Sequence, residues 1–301
     1  MRLLFFSHPR TERGMTMSIA YLNGTYLPIT EAKISPLDRG FLFGDGIYEV
    51  IPSYCGKMVG FGPHIERMID GLGQLGIQLN WDQQQWRTLC ETLAEKNGGG
   101  NLGIYLHVSR GADTKRFHAF PEGVEPTVFC MTFPIALPQA ANRETAQAYT
   151  VSTGEDLRWK RCNIKSTALL GNVLHFQEGH AAGHNEILLF NDQGNLTEAG
   201  ACNAFIVKEG VVITPAKDNQ ILAGITRLLI LSILRKEGSI RVEERDISKQ
   251  EVMDADEVWI TSSSKEMAPV IAVDGKAIGD GRVGPVWEAA STLYTQFKYD
   301  Y

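Results

Sequence analysis

Apolar and polar positions alternate in short runs along the first part of the chain, and this alternation predicts strands joined by tight turns. The clearest turn is Asn23-Gly24, a dipeptide typical of two-residue hairpins, which separates the runs at residues 19–22 and 25–28. Further strands are predicted over residues 47–54, 58–61, 102–109 and 127–133, with helices over 63–75 and from the Asp82 capping box to residue 96. Together they form a small α/β unit.

The second part of the chain predicts a larger mixed unit. Its predicted elements are a strand to about residue 164, a helix over 166–182, a strand over 186–190, a hairpin over 204–214, a helix over 226–237, a capping box at 248–251, strands over 257–261 and 270–278, and a C-terminal helix. Residues 135–142 follow Pro134, contain Pro138 and show no period, so they predict a linker.

This pattern predicts two domains, a small N-terminal domain over residues 18–134 and a larger C-terminal domain over residues 143–301. Residues 1–17 precede the first strand signal, and we expect them to be a disordered tail or an overextended start. No apolar run approaches the roughly 20 residues that a bilayer span requires.

The composition of the chain indicates which kinds of binding partner to expect. The 301 residues are 44% hydrophobic and carry a formal net charge of -6, with no basic run that would indicate nucleic acid or an anionic membrane. The five cysteines form no C-x-x-C pair, so neither a disulfide framework nor a metal site is predicted. We expect a cytoplasmic protein that acts on small molecules.

Four features place reactive or polar groups at the ends of apolar elements. Lys165 lies between apolar residues, where a desolvated amine becomes a nucleophile for a carbonyl, although a lone lysine is more often a surface residue. Thr226, at a helix start, and the hydroxyl run 261–264 could bind an anion or could be a plain cap and a polar loop. Glu198 ends a strand. No Walker-type loop is present, so a nucleoside triphosphate is not indicated.

The order and spacing of these features resemble one enzyme family. The matching motifs are Asp38-Arg-Gly-Phe-Leu-Phe-Gly-Asp-Gly-Ile-Tyr-Glu49, His64-Ile-Glu-Arg67, Asn163-Ile-Lys165-Ser, Leu196-Thr-Glu198-Ala, Leu222-Ala-Gly-Ile-Thr226 and Thr261-Ser-Ser-Ser264. They resemble the fold type IV enzymes that use pyridoxal 5'-phosphate (PLP), which include D-amino acid transaminases, branched-chain transaminases and aminodeoxychorismate lyases.

The resemblance implies a homodimer of two-domain chains, each with a small α/β domain and a larger α+β domain that contains a barrel-like sheet. It also implies that Lys165 holds PLP as a Schiff base and later carries a proton, while Glu198 faces the pyridine nitrogen. The residues implied to bind the cofactor phosphate are Arg67, Ile225 through its backbone N–H, Thr226 and Ser263.

Within the family the chain is most similar to the D-amino acid transaminases. Arg116-Phe-His118, together with Arg39, resembles the set that binds the substrate carboxylate in that subfamily, and Tyr48 is implied to line the pocket. The implied reaction moves the amino group of D-alanine to 2-oxoglutarate by a ping-pong mechanism, giving pyruvate and D-glutamate. A branched-chain L-amino acid transaminase, an aminodeoxychorismate lyase and a noncatalytic binding protein stay open as alternatives.

Three positions depart from the subfamily pattern. Gly200-Ala201 stands where serine hydroxyls are typical, and residues 110–116 form a loop one residue longer than usual. Pro52 lies within a predicted strand, which therefore has to be an edge strand or bulged at that position. These departures concern substrate preference more than cofactor binding.

Overall fold

The chain forms two separate β-sheets in a computed structural model that describes residues 18–301; the prediction for residues 1–17 lies outside the described residues. The strands of the first sheet are β1 Ile19–Leu22, β2 Thr25–Pro28, β3 Gly46–Tyr54, β4 Lys57–Met58, β5 Asn101–Ser109 and β6 Thr127–Pro134. They run in the order β2-β1-β6-β5-β3-β4.

The second sheet belongs to the later part of the chain. Its strands are β7 Tyr149–Glu155, β8 Glu186–Phe190, β9 Leu196–Ala199, β10 Asn203–Lys208, β11 Val211–Thr214, β12 Val242–Glu244, β13 Glu257–Ser262, β14 Glu266–Val273 and β15 Lys276–Ala277. They run in the order β12-β11-β10-β13-β14-β7-β8-β9, with β15 paired to β14. The sheet curls into a half-barrel, and the predicted mixed α/β and α+β fold is confirmed.

Helices cover both sheets. Their bounds are α1 Arg39–Phe43, α2 Phe61–Leu75, α3 Gln83–Lys96, α4 Leu170–Ala181, α5 Ile225–Glu237, α6 Lys249–Met253 and α7 Pro285–Phe297. Within residues 18–301, none of these helices combines the length and the hydropathy that crossing a bilayer requires.

The faces of the second sheet belong to different hydrophobic cores. On β13, Val258 and Ile260 lie in the core that includes Val252 of α6, whereas Trp259 lies in the core shared with α5 and α7. Successive residues of a strand point to opposite faces, so this one strand contributes to both cores. The first sheet packs against α2 and α3 around the buried Ile51 and Trp86.

Local sequence signals predicted most turns and caps correctly. Asn23 and Gly24 adopt positive φ angles of 45° and 94° in the first hairpin turn, a conformation that these residue types favour. Asp82 and Ser248 begin their helices with complete capping boxes. Pro52 lies on an edge, because β4 pairs with β3 only at Ser53 and Tyr54.

The predicted strand to residue 164 and the helix start at residue 166 are wrong. Strand β7 ends at Glu155, helix α4 begins at Leu170, and the segment between them is a loop. Backbone groups of this loop form hydrogen bonds with residues that are distant in the sequence. The Cys162 amide, for example, donates to the Asn219 carbonyl at 2.9 Å. Helix α2 begins at Phe61 rather than Pro63, and the predicted strand over 58–61 shortens to β4.

Candidate active site

A cavity of about 450 Å³ opens beside the second sheet, within the size range of small-molecule and cofactor sites. Seven of the ten predicted site residues line it: Tyr48, Arg67, Lys165, Glu198, Ile225, Thr226 and Ser263. The structure therefore brings together all the residues assigned to the cofactor, which come from α2, the loop before α4, β9, the start of α5 and the turn after β13.

Lys165 is held at the cavity by backbone contacts between its loop and β3. The Tyr48 amide donates to the Lys165 carbonyl at 3.1 Å, and the Thr167 amide donates to the Gly46 carbonyl at 2.9 Å. The Lys165 Nζ lies 4.1 Å from the centroid of the Tyr48 ring, in cation–π geometry. Its amine is thus fixed at the junction of the two sheets.

Glu198 is buried on β9 with hydrogen-bond donors on both carboxylate oxygens. Arg158 donates to Oε1 at 2.5 Å, while the Asn203 side chain and the Leu222 amide donate to Oε2 at 2.9 and 3.0 Å. A carboxylate oxygen can accept more than one hydrogen bond, so Oε1 can still accept one from a further donor in the cavity.

Arg158 balances Glu198 and is itself held by Asp156. Its guanidinium donates to both Asp156 oxygens, from Nε at 2.9 Å and from one terminal nitrogen at 2.7 Å. Burial raises the pKa of Glu198, and the charge of Arg158 opposes that rise. Burial lowers the pKa of Arg158, but the hydrogen bond to Asp156 and the charge of Glu198 outweigh it, so the net shift of this pKa is upward.

The N-terminus of α5 forms the anion-binding end of the cavity. Gly224 is the N-cap, without a side-chain cap, which leaves the first backbone N–H groups of the helix without an intrahelical partner. The interpretation of Thr226 as the N-cap is therefore wrong. A Cβ at position 224 would collide with the Asn203 side chain, so glycine is required there.

The hydroxyl groups near α5 fit a phosphate. Thr261 is buried and lines the cavity, and among the described residues its Oγ1 is one of three buried side-chain atoms without a hydrogen-bond partner. Buried hydroxyls normally have partners, so an acceptor from a bound molecule is expected here. Together with Arg67 and the helix N-terminus, these residues fit the phosphate of PLP.

Arg39, Arg116 and His118 lie together around Phe43 but do not line the cavity of their own chain. The buried Arg39 donates to Asp45 at 2.8 Å and to the carbonyls of Phe117 and His118 at 2.5 and 3.2 Å. It therefore holds the loop that carries the exposed Arg116 and His118. The assignment of all three to the substrate carboxylate stays a prediction.

Gly200, one of the departures from the subfamily pattern, lies close to Glu186 and α4. A Cβ there would approach the Glu186 carboxylate at 2.8 Å and the Phe176 amide nitrogen of α4 at 3.3 Å. A serine at this position would require the Glu186 carboxylate or α4 to shift, and Asn172 donates to the Gly200 carbonyl at 2.9 Å.

Arg158 and Asn203 were not among the predicted site residues, and Thr261 was included only as part of the hydroxyl run 261–264. Arg158 follows Asp156 closely in the loop that leads to Lys165, and this spacing was the available signal. Asn203 contacts Glu198 only because β9 and β10 are close in the folded chain, so no local pattern predicts that contact.

Fold and site together define a class of protein, an enzyme with a cofactor cavity that combines a lysine amine, a buried carboxylate and an anion-binding helix N-terminus. A family model described as amino-transferase class IV matches residues 46–273. The chain belongs to this family, whose members use PLP, and the predicted family, enzyme class and cofactor are confirmed.

Known relatives agree with this membership. The D-alanine aminotransferase of Bacillus licheniformis is 35% identical over 270 residues, which cover 90% of this chain and 93% of the relative. The D-alanine aminotransferase of Staphylococcus aureus strain N315 is 37% identical over 272 residues, covering 90% of this chain and 94% of the relative.

Solved structures share the fold. The branched-chain amino acid aminotransferase of Escherichia coli has a TM-score of 0.85 and 23% identity, covering 93% of this chain and 94% of that one. The branched-chain amino acid aminotransferase of Thermobaculum terrenum, solved in its PLP form, has a TM-score of 0.83 and 20% identity and covers 94% of both chains.

We expect Lys165→Ala to abolish transamination while the fold persists, because the half-buried side chain adds little packing and its amine performs the chemistry. Turnover and far-UV circular dichroism measure the two effects. Lys160→Ala, on an exposed residue of the same loop, is the matched control. A borohydride-trapped cofactor adduct mapped to another lysine would contradict the assignment.

We expect Glu198→Gln to slow the chemical step by roughly two to three decades, since removing a charge that faces a reacting group costs on the order of 2 to 4 kcal/mol of barrier. Cofactor affinity should change far less, because the phosphate contacts remain. Single-turnover kinetics and a PLP titration separate the two effects, and Glu237→Gln, at an exposed position of α5, is the control. An unchanged chemical rate would place Glu198 outside the reaction.

Proposed function

We propose that this chain is a D-amino acid transaminase that moves the amino group of D-alanine to 2-oxoglutarate by a ping-pong mechanism, giving pyruvate and D-glutamate. The observation that carries the proposal is the single cavity that holds the Lys165 amine, the Glu198–Arg158 ion pair and the N-terminus of α5. Bound PLP supplies an electron-withdrawing ring that stabilises negative charge at the substrate Cα.

Each cavity residue has a role in this proposal. Lys165 is the nucleophile that holds the cofactor, and its freed amine carries the proton to and from the substrate Cα. Glu198 would keep a proton on the pyridine nitrogen, because the ion pair with Arg158 favours the anionic carboxylate and an anion favours a protonated partner. Tyr48 lines the substrate side beside Lys165.

The phosphate is bound at the other end of the cavity. We assign it to the guanidinium of Arg67, the backbone N–H of Ile225 and the hydroxyls of Thr226 and Ser263. A dianion gains from the positive end of the α5 dipole and from a guanidinium fork, and both are present at this end.

The choice of a D-amino acid is supported by the relatives named D-alanine aminotransferase, which match most of the chain. The two branched-chain enzymes described above are 20–23% identical to this chain and indicate the fold alone. Branched-chain transamination and aminodeoxychorismate lyase activity therefore stay as the alternatives that experiment has to exclude.

The proposal includes a homodimer in the cytoplasm. Helix α4 exposes Leu170, Val173 and Leu174, with 70%, 57% and 62% of their surface accessible, and a face of this kind indicates a partner surface. The exposed loop with Arg116 and His118 could reach the cavity of the second copy, which would explain its position outside its own cavity. All five cysteines are free, as in a reducing compartment.

We expect D-alanine alone, without any keto acid, to bleach the visible absorption band of the PLP-loaded enzyme, because the first half-reaction needs only the amino donor. L-Leucine under the same conditions should leave the band unchanged. Bleaching by L-leucine alone would favour the branched-chain alternative.

We expect Arg116→Leu to leave the cofactor spectrum and PLP affinity intact while the affinity for D-alanine falls about ten- to a hundredfold, since a charge-assisted hydrogen bond is worth roughly 1.5 to 3 kcal/mol. Keto-acid substrates should show the same loss, whereas an amine without a carboxylate should not. The neighbouring exposed Lys115→Leu is the control. Unchanged D-alanine kinetics in both Arg116→Leu and His118→Ala would remove the carboxylate assignment.

A further inference from the structure

Behind Arg67 lies a fully buried carboxylate that the reaction does not use directly. Glu49, on β3, has no exposed surface and accepts hydrogen bonds from the Arg67 Nε at 2.7 Å and from an Arg67 terminal nitrogen at 2.8 Å. Its Oε2 also lies 2.7 Å from the Nδ1 of His64, which is buried on α2 one turn before Arg67. These three residues form the Glu49 triad.

The charges of the triad are defined by its surroundings. Burial raises the pKa of Glu49, but Arg67 and His64 outweigh that effect and hold the pKa at about 2, so the carboxylate is anionic. Burial lowers the pKa of His64. A neutral imidazole that donates from Nδ1 to Glu49 satisfies both groups.

The triad leaves Arg67 partly free. A guanidinium has five N–H donors, and Glu49 takes two of them. A third donates at 2.7 Å to the carbonyl of Ala223, which directly precedes the N-cap of α5. The remaining donors lie where the triad and the α5 N-terminus meet, at the end of the cavity assigned to the phosphate.

A role in stability alone does not account for the triad. Burying an ion pair costs desolvation free energy for both partners, and apolar residues of similar volume are often equally stabilising. The triad does fix the guanidinium plane, and it fixes it against a segment of the C-terminal part of the chain. This is the geometry that bidentate recognition of a phosphate requires.

We propose that Glu49 and His64 are positioning residues for the cofactor phosphate, which they serve by holding Arg67 against the start of α5. They do not touch the phosphate themselves. This inference rests on the proposed role of Arg67.

The test compares PLP with pyridoxal, which lacks the phosphate, as ligands of the full-length protein. We expect Glu49→Gln to weaken PLP binding about ten- to a hundredfold and to change pyridoxal binding less than about twofold, because only PLP uses Arg67. Glu66→Gln, on an exposed residue of the same helix as Arg67, should change neither affinity. Equal weakening of both ligands by Glu49→Gln would overturn the proposal, since a general loss of structure does not discriminate between them.

A double-mutant cycle assigns the effect to Arg67. In an Arg67→Leu background Glu49→Gln should cause no further loss of PLP affinity, because the positioned group is gone. An additive loss would overturn the proposal. If Arg67→Leu itself leaves the ratio of PLP to pyridoxal affinity unchanged, the phosphate assignment in the proposed function fails instead.

His64 gives an independent arm, which decides the question if Glu49→Gln does not fold. His64→Asn keeps a nitrogen donor near the position of Nδ1, so the affinity ratio should stay close to that of the unaltered protein. His64→Leu removes the donor and should lower the ratio. The same ratio in both variants would overturn the role of His64.

Discussion

The structure depends on satisfying one buried carboxylate that lines the cavity. An unpaired buried charge costs several kcal/mol, so Glu198 requires donors on both oxygens. Those donors come from Arg158 in the loop before α4, Asn203 on β10 and Leu222 before α5. Satisfying this single group therefore fixes two other segments, the loop that carries Lys165 and the segment that leads to the phosphate site.

The first sheet completes the cavity through contacts that cross to the C-terminal part of the chain. Backbone hydrogen bonds join β3 to the Lys165 loop, and Arg67 donates to the carbonyl of Ala223 beside α5. The predicted nucleophile and the proposed phosphate site thus each depend on elements from both parts of the chain. A cofactor that contacts both ends of the cavity should therefore also stabilise the arrangement of the two sheets.

Much of the fold follows from local sequence, and the exceptions share a cause. The Asn23-Gly24 hairpin and the Asp82 and Ser248 capping boxes were predicted because each contains its own turn or cap chemistry. Residues 156–169 were predicted as the end of a strand and the start of a helix, because the spacing of their apolar residues is compatible with both elements. Their conformation is set instead by partners far along the chain, which no local window contains.

The candidate site divides in the same way. The residues assigned to the cofactor all line one cavity of a single chain, and short motifs were sufficient to predict them as a group. The residues assigned to the substrate carboxylate do not line this cavity. Arg39 donates to Asp45 and to carbonyls of the loop in which Arg116 and His118 are exposed to solvent. The motifs predicted that Arg39, Arg116 and His118 belong together, but they do not predict which surface the loop meets. The cofactor assignment therefore rests on contacts within one chain, whereas the substrate assignment depends on the homodimer proposed above.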